Sequence, residues 1–477
     1  MFRHICRYLA VAFLAWSFAG IEAQAPARPA MLVFLHVTVI NPPSNGAAGS
    51  VEQDRAVVIR AGKITAVVSA AGLTPPAFAQ VVDGTGKYLI PGLWDMHVHS
   101  AFGDWFPKGR DVILPLFIAN GVTGVRDMGG DLPVLLPWRK QIAAGEIVGP
   151  RMVVSGPMLD GYLPDGKLRF PSSVPVMTPA DAVKAVDSLK AQGAEFIKVQ
   201  SVIPHDAYVA AAQEAHKQEL PFVGHVPDHI KITESVALGQ KSIEHFMGAQ
   251  EGCSSEEDKV LAAKTEDIRL LLSSHDEAKC QKLIALLAQT HTWLVPTTVW
   301  NRQGGFLDQL DLAHQPLDKY VPAYWRDVTW KRFYDQMMPG VKADPLEVRK
   351  QEDAEIVRLI GAFHKGGVGF MAGTDTAPGI YVMPGFSLHD ELANFVEAGF
   401  TPMDALATAT SNPAKFLGRE DMGAVAPGDV ADLVLLDRNP LTDIRNTRTI
   451  SGVVADGRYY DRAQLDALLA GVEKAAK

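Results

Sequence analysis

The period of the hydrophobic positions changes along the chain. From Met31 to about Val82, short alternating or β-branched runs (MLVFLHVTVI, DRAVVIR, KITAVVS) are cut by stretches rich in proline, glycine and asparagine (NPPSNGAAG, GLTPP). That texture predicts a small all-β unit. The tail repeats it in VADLVLLDRNP and SGVVADGRYYD, then closes on RAQLDALLAGVEKAAK, whose apolar residues recur at helical spacing. The two β-rich ends are expected to pair into one accessory β-sandwich. Between them eight apolar runs recur: PGLWDMHVH, GVTGVRDM, RMVVSG, FIKVQ, PFVGHV, SIEHF, TWLVPTT and VGFMAGTD. Longer stretches such as TPADAVKAVDSLKAQG and HDAYVAAAQEAHKQEL separate them with helical periodicity. Eight strand-helix units predict an α/β fold, a closed parallel (β/α)8 TIM-like barrel whose chemistry gathers at the carboxyl ends of its strands. The expected segments are 24–90 and 420–477 for the two parts of the sandwich, the latter with the terminal helix, and 91–419 for the barrel.

The first residues break this pattern. Arg3 and Arg7 precede an apolar run from Tyr8 to Gly20 and then small residues, the layout of a secretory signal peptide over 1–23. The run is short for a membrane span, and no later segment is apolar for long enough to cross a bilayer. The mature protein is therefore expected to be exported, most simply to a bacterial periplasm. Cys6 leaves with the signal, and an oxidising compartment favours a disulfide between Cys253 and Cys280. A net charge of −9 with 21% charged residues offers no polyanion-binding surface and excludes nucleic acid as a partner. Two connections are unusually long. The one after TWLVPTT, between residues 300 and 340, carries Trp300, Phe306, Tyr320, Tyr324, Trp325, Trp330, Phe333 and Tyr334, either as a lid or substrate wall or as rings packed on the barrel's outer helices.

The strand ends carry the chemistry. Side chains alternate along a strand, so His97 and His99 face the same side, close enough to share one metal ion. Other strands end alike: the fifth gives His225, the sixth His245, the eighth Asp375, and the fourth buries Lys198. Imidazoles and a carboxylate at one rim suit zinc or a similar divalent ion. A protonated lysine would repel that ion and would need a buried acid such as Glu195 or Asp375. The neutral amine can instead react with carbon dioxide to give an anionic carbamate, and burial favours that neutral form. A carboxylated Lys198 could bridge two metals about 3.5–4 Å apart that share a hydroxide.

These residues, with LIPGLWDMHVH, GVTGVRDMGG and the late NPAKFLG and GAVAPGDVADLVLLD, resemble the amidohydrolase superfamily, closest to its imidazolonepropionase-like and prolidase-like members with a binuclear metal centre. The resemblance implies that His97, His99 and Asp375 hold the more buried metal, that His225 and His245 hold the more exposed one, and that carboxylated Lys198 bridges them. It implies that Asp375 also takes the proton of the attacking hydroxide and delivers it to the departing nitrogen. One departure concerns substrate. Prolidase-like relatives follow the fifth-strand histidine with alanine and a substrate-facing tyrosine, whereas here the run is His225-Val226-Pro227 and Pro227 donates nothing. Tyr162 and Tyr381 are the candidates to replace that hydroxyl. His389 and Glu391, near a helix start, are expected to cap it or hold the Asp375 loop.

The expected reaction is hydrolysis of an amide C–N bond in a dipeptide with a C-terminal proline or hydrophobic residue, or in an N-acyl amino acid. The alternatives are a cyclic amide or lactone hydrolase of imidazolonepropionase type and a non-catalytic metal-binding protein of the same fold. Lys198 counts against the first, since the resemblance links imidazolonepropionase to a single-metal centre lacking the lysine. Asp375, a carboxylate placed to move protons, counts against the second. The expected partner is a small amide or peptide, and a homo-oligomer is compatible with the sequence.

Overall fold

The structure is a computed structural model and describes residues 25–44, 48–263, 267–312 and 314–477. The signal peptide expected over 1–23 lies outside them. All eight expected barrel strands are present: β1 (Leu93–Val98), β2 (Val122–Asp127), β3 (Arg151–Val154, resumed at Met158–Asp160), β4 (Ile197–Val199), β5 (Phe222–Gly224), β6 (Ser242–Glu244), β7 (Trp293–Val295) and β8 (Gly369–Phe370). Neighbours in sequence pair in parallel, and β3 breaks after Val154, so that its first part pairs β2 and its second pairs β4. The ring closes just past β8, where Met96 donates to Ala372 O at 2.8 Å and Asp375 N donates to His97 O at 2.7 Å. The strands are short because the barrel wall needs only a few residues from each, and nearly all are buried on both faces.

The intervening helices follow their caps. Thr178 and Asp181 form a capping box at the start of Pro179–Gln192, and Gly193, at φ +98°, ends it. The terminal helix, Arg462–Ala476, starts from the same device at Asp461 and Gln464.

The chain ends do combine. Five strands from the N-terminal side and three from the C-terminal side make one hydrogen-bonded sheet, stitched where Tyr88–Pro91 runs antiparallel to Leu433–Leu436. Leu32–Asn41 carries Gln80–Asp83 along its first half and Tyr88–Pro91 along its second, so the sheet forks there. Its core draws on both ends, among them Leu32, Phe34, Val39, Leu433 and Leu435. The expected disulfide between Cys253 and Cys280 is present. Among the described residues no helix is long and apolar enough to cross a membrane.

The long insertion after β7 contributes α1 (Thr298–Gly305) and α2 (Lys331–Ala343) before the barrel helix α3 (Leu346–Lys365). Half of its eight rings are buried: Tyr320 stacks on Phe386, at the start of the helix after β8, and the other three pack against loops at the barrel mouth. Trp325 meets Phe106 and Phe333 meets Trp105, both in the loop after β1. Trp330 packs on Tyr381 and donates from Nε1 to Ala377 O at 3.3 Å, in the loop after β8. The insertion is thus a fixed wall across that side of the mouth.

Candidate metal centre

The ends of β1, β4, β5, β6 and β8 deliver the expected donors to one place. Ligand atoms of His97, His245 and Asp375 lie within 4.8 Å of one another. His99 Nε2 lies 3.0 Å from Asp375 Oδ1, and the rings of His225 and His245 are 4.8 Å apart. The backbone turns sharply to aim them: His245 and Asp375 both sit in the left-handed region, at φ +59°. For non-glycine residues that conformation is costly and collects at functional sites. Glycines make room. A Cβ at Gly373 would lie 2.8 Å from His97 Cβ, and one at Gly224 would lie 2.3 Å from Val199 O and 3.0 Å from Lys198 Cδ.

Each imidazole is held through Nδ1, which leaves Nε2 for the centre. His97 Nδ1 contacts Glu244 Oε2 at 2.9 Å, and His99 Nδ1 contacts Gly129 O at 2.9 Å. His225 Nδ1 meets Ser201 Oγ at 2.7 Å, and His245 Nδ1 meets Thr297 Oγ1 at 2.7 Å. The carbonyl partner of His99 can only accept, so its Nδ1 carries a proton, and in the form that ligation requires Nε2 is a bare lone pair. That lone pair faces Asp375 Oδ1, a buried oxygen that accepts no hydrogen bond despite the 3.0 Å approach. Two acceptors facing each other in a buried site repel, and a cation between them turns both into ligands. The donor set therefore fits a divalent metal.

Lys198 stands among them with Nζ buried and without a hydrogen-bond partner. Neither acid expected as its structural mate takes it, and Glu195 pairs with Arg139 instead. Burial lowers its amine to about 8. Burial, followed by the charge of Lys198, also pushes His97 and His225 well below the usual imidazole range. Burial brings His245 to about 4. All three are neutral, as ligation requires.

A supporting shell escaped the sequence reading. Arg126 of β2 grips Glu244 with Nη2 at 2.9 and 3.0 Å from its two oxygens, and donates to Ser242 Oγ and Met96 O. Arg126 and Glu244 are both fully buried. The signal was available, since each is a charged residue inside an apolar strand, as Lys198 is. Arg169, in the loop after β3, is exposed, and its charge acts on His225, Asp160 and Asp228. Nothing in its sequence neighbourhood marks it.

Tyr162 is 44% exposed after β3. The Tyr381 hydroxyl donates to Leu312 O at 3.3 Å, toward the insertion. His389 and Glu391 lie on α4 (Phe386–Glu397), but neither caps it nor holds the Asp375 loop. Glu391 accepts from Thr298 N, Thr298 Oγ1 and Val299 N, capping α1 instead. His389 bridges Thr447 Oγ1 and Asn120 O. A cavity of about 500 Å³ lies away from the donors, between α1, α2 and α3, lined by Phe306, Met337, Val341 and Ile356 among others. The donors, not the volume, mark the centre.

With this geometry in hand, likeness to known proteins becomes informative. Over most of its length the chain is similar in fold to a bottromycin amidohydrolase, at 23% identity over 94% of this chain and 91% of that one, with a TM-score of 0.69. It is similar also to a Xaa-Pro dipeptidase with methionine bound in the active site, at 20% identity over 90% of this chain and 100% of that one, with a TM-score of 0.65. Over 97 residues it is 40% identical to the imidazolonepropionase of Deinococcus deserti, a stretch covering 20% of this chain and 23% of that one. The chain spans less than a quarter of the length of the curated relatives it matches. The Amidohydrolase family pattern matches residues 88–459. On the strength of that match, the chain belongs to the amidohydrolase family.

Proposed function

We propose that the protein is an exported, metal-dependent hydrolase that cleaves the amide C–N bond of a small peptide or N-acyl amino acid. The observation that carries this reading is Lys198, an amine buried without a partner among bare imidazole nitrogens and an unpartnered carboxylate oxygen. His97, His99 and Asp375 would hold one divalent ion, zinc being well suited to these donors, and His225 and His245 a second, with the carbamate formed from Lys198 and carbon dioxide bridging them. When bound, the ions supply Lewis acidity and acidify water at neutral pH.

The chain's own residues do the rest. With Asp375 Oδ1 turned to His99 Nε2 at 3.0 Å, the other carboxylate oxygen, Oδ2, receives the proton of the attacking water and returns it to the departing nitrogen. The neutral Lys198 Nζ adds to the carbon of carbon dioxide, forming an N–C bond as one C=O π bond opens, and its proton passes to water, leaving the anionic carbamate. Trp300 of α1, its ring 5.8 Å from His245, walls the site and limits water. Arg169, whose charge reaches His225, is the cation available to a substrate carboxylate. The likeness in fold to a Xaa-Pro dipeptidase is consistent with a peptide substrate, and Lys198 counts against a cyclic amide of imidazolonepropionase type. The disulfide supports export, since such bonds persist in oxidising compartments.

The test is metal analysis of the purified protein together with a screen of dipeptides and N-acyl amino acids. About two equivalents of metal per chain are expected. Asp375→Asn should lower turnover by about 10³-fold, the scale of general-base loss, with the fold retained. Turnover close to the parent's in that variant would remove Asp375 as the base.

A further inference from the structure

The donors form two halves that are prepared differently. On one side, His97 and His99 rest on partners that can only accept: the carboxylate of Glu244 at 2.9 Å and the carbonyl of Gly129 at 2.9 Å. Both partners hold a proton on Nδ1 and so turn Nε2 toward the centre. On the other side, His225 and His245 rest on the hydroxyls of Ser201 and Thr297, each at 2.7 Å. A hydroxyl donates as readily as it accepts, so those contacts orient the rings without fixing the tautomer. They also bring no charge.

Glu244 is itself held in place. Both its oxygens receive Arg126 Nη2, and Oε1 also accepts from Ser242 Oγ at 2.6 Å. Arg126 is anchored in turn by Nε to Met96 O at 2.7 Å, next to His97. Arg126 and Glu244 have no exposed side-chain surface, so the carboxylate keeps its counter-charge without competing water. A carboxylate behind an imidazole orients the ring and makes its far nitrogen a better donor.

We infer that Glu244, clamped by Arg126, is a positioning residue that makes the His97–His99–Asp375 half the high-affinity position, so that the centre loads its two metals in order. This inference rests on the two-metal reading above. The half built on His225 and His245 fills second and releases its ion first.

Titration of the metal-free full chain with Co²⁺ in bicarbonate, followed by visible absorption, reads the order directly. Two resolved steps are expected, at least about 10-fold apart, the scale by which a ligand's backing partner changes metal affinity. In Glu244→Gln the first step should weaken about 10–100-fold while the second moves less than about 3-fold. Glu244→Asp should recover part of the first step. Because Glu244→Gln leaves Arg126 without its counter-charge, the double change Glu244→Gln/Arg126→Gln, which removes both charges together, repeats the measurement in a neutral background and should again weaken only the first step. A single step in the parent, or a shift of both steps together in the variants as loss of general packing would give, overturns the inference while leaving the two-metal centre intact. Failure of the parent to bind Co²⁺ at all would overturn the metal reading itself.

Discussion

Two hollows in this molecule settle their polar groups in opposite ways. The cavity between α1, α2 and α3 is large, about 500 Å³, and the charged groups of its wall are tied off: Arg302 binds Asp353 at 2.8 Å and Glu397 at 2.7 Å, and Arg349 binds Asp308 at 2.7 Å. The donor cluster instead contains Lys198 Nζ and Asp375 Oδ1, both buried and both without hydrogen bonds. Buried polar groups are nearly always satisfied, so an exception held in a strained backbone marks where another species belongs. Volume reports how loosely an insertion packs. Orphaned donors report chemistry.

The contrast breaks if removing an orphan fails to stabilise the protein. Lys198→Met should abolish carbamate formation, reduce bound metal and lower turnover by at least about 10²-fold, the effect of losing a group that acts only when the centre is assembled. The metal-free variant should nevertheless be the more stable protein. Burial lowers the amine from 10.5 to about 8, a difference corresponding to about 3 kcal/mol against the charged form at neutral pH. The sign follows from the protons bound. Between about pH 8 and 10.5 the unfolded chain holds a proton that the folded one has released, so the parent gains stability as pH rises through that window and carries the full penalty below it. Denaturant melts of metal-free, bicarbonate-free protein should show the variant's advantage at pH 7 and its disappearance above pH 10.5. An equally or less stable variant at pH 7 would mean that Lys198 is structurally satisfied.

The cavity wall should behave in reverse. Arg349 is 7% exposed on its side chain and forms a two-pronged pair with Asp308, itself 26% exposed. Arg349→Met should cost about 2 kcal/mol of stability, less than the 3–5 of a fully buried pair because solvent screens Asp308. Turnover and metal content should stay within about 3-fold, because the cavity-lining residues do not include the donors. Chemical melts set beside metal analysis check both halves of that statement. A large loss of metal would join the two hollows into one site.

The same distinction explains what the sequence made legible. Strand ends announced His97, His99, His225, His245 and Asp375 because a polar residue closing an apolar run is visible in one dimension, and Lys198 stood out as a charge within such a run. Arg126 and Glu244 carry that mark too, in GVTGVRDM and SIEHF, but their meaning lies in each other, 118 positions apart. Glu391 illustrates the limit. Its place near the start of α4 suggests a local cap, whereas its carboxylate serves the amides of Thr298 and Val299 on another helix. Capping chemistry was readable, and its address was not. The insertion's aromatic content was equally plain, but only the closed barrel shows that its rings meet the loops after β1 and β8.

The finest test adds a single methyl group to the cavity. Gly340 lies on α2 in the cavity lining, and a Cβ there meets nothing within 4 Å. Its φ is outside the left-handed region, so alanine adopts the same backbone without strain. Gly340→Ala should therefore raise stability by about 0.5–1 kcal/mol, through helix propensity and a less flexible unfolded chain rather than any new contact. Turnover should not move, because no reacting group touches this wall. A gain in stability with unchanged kcat/KM keeps the cavity a packing feature. A change in kcat/KM beyond about 3-fold, from one methyl in a space that accommodates it, could arise only if that space communicates with the bound substrate, and the cavity would then have to be counted as part of the active site.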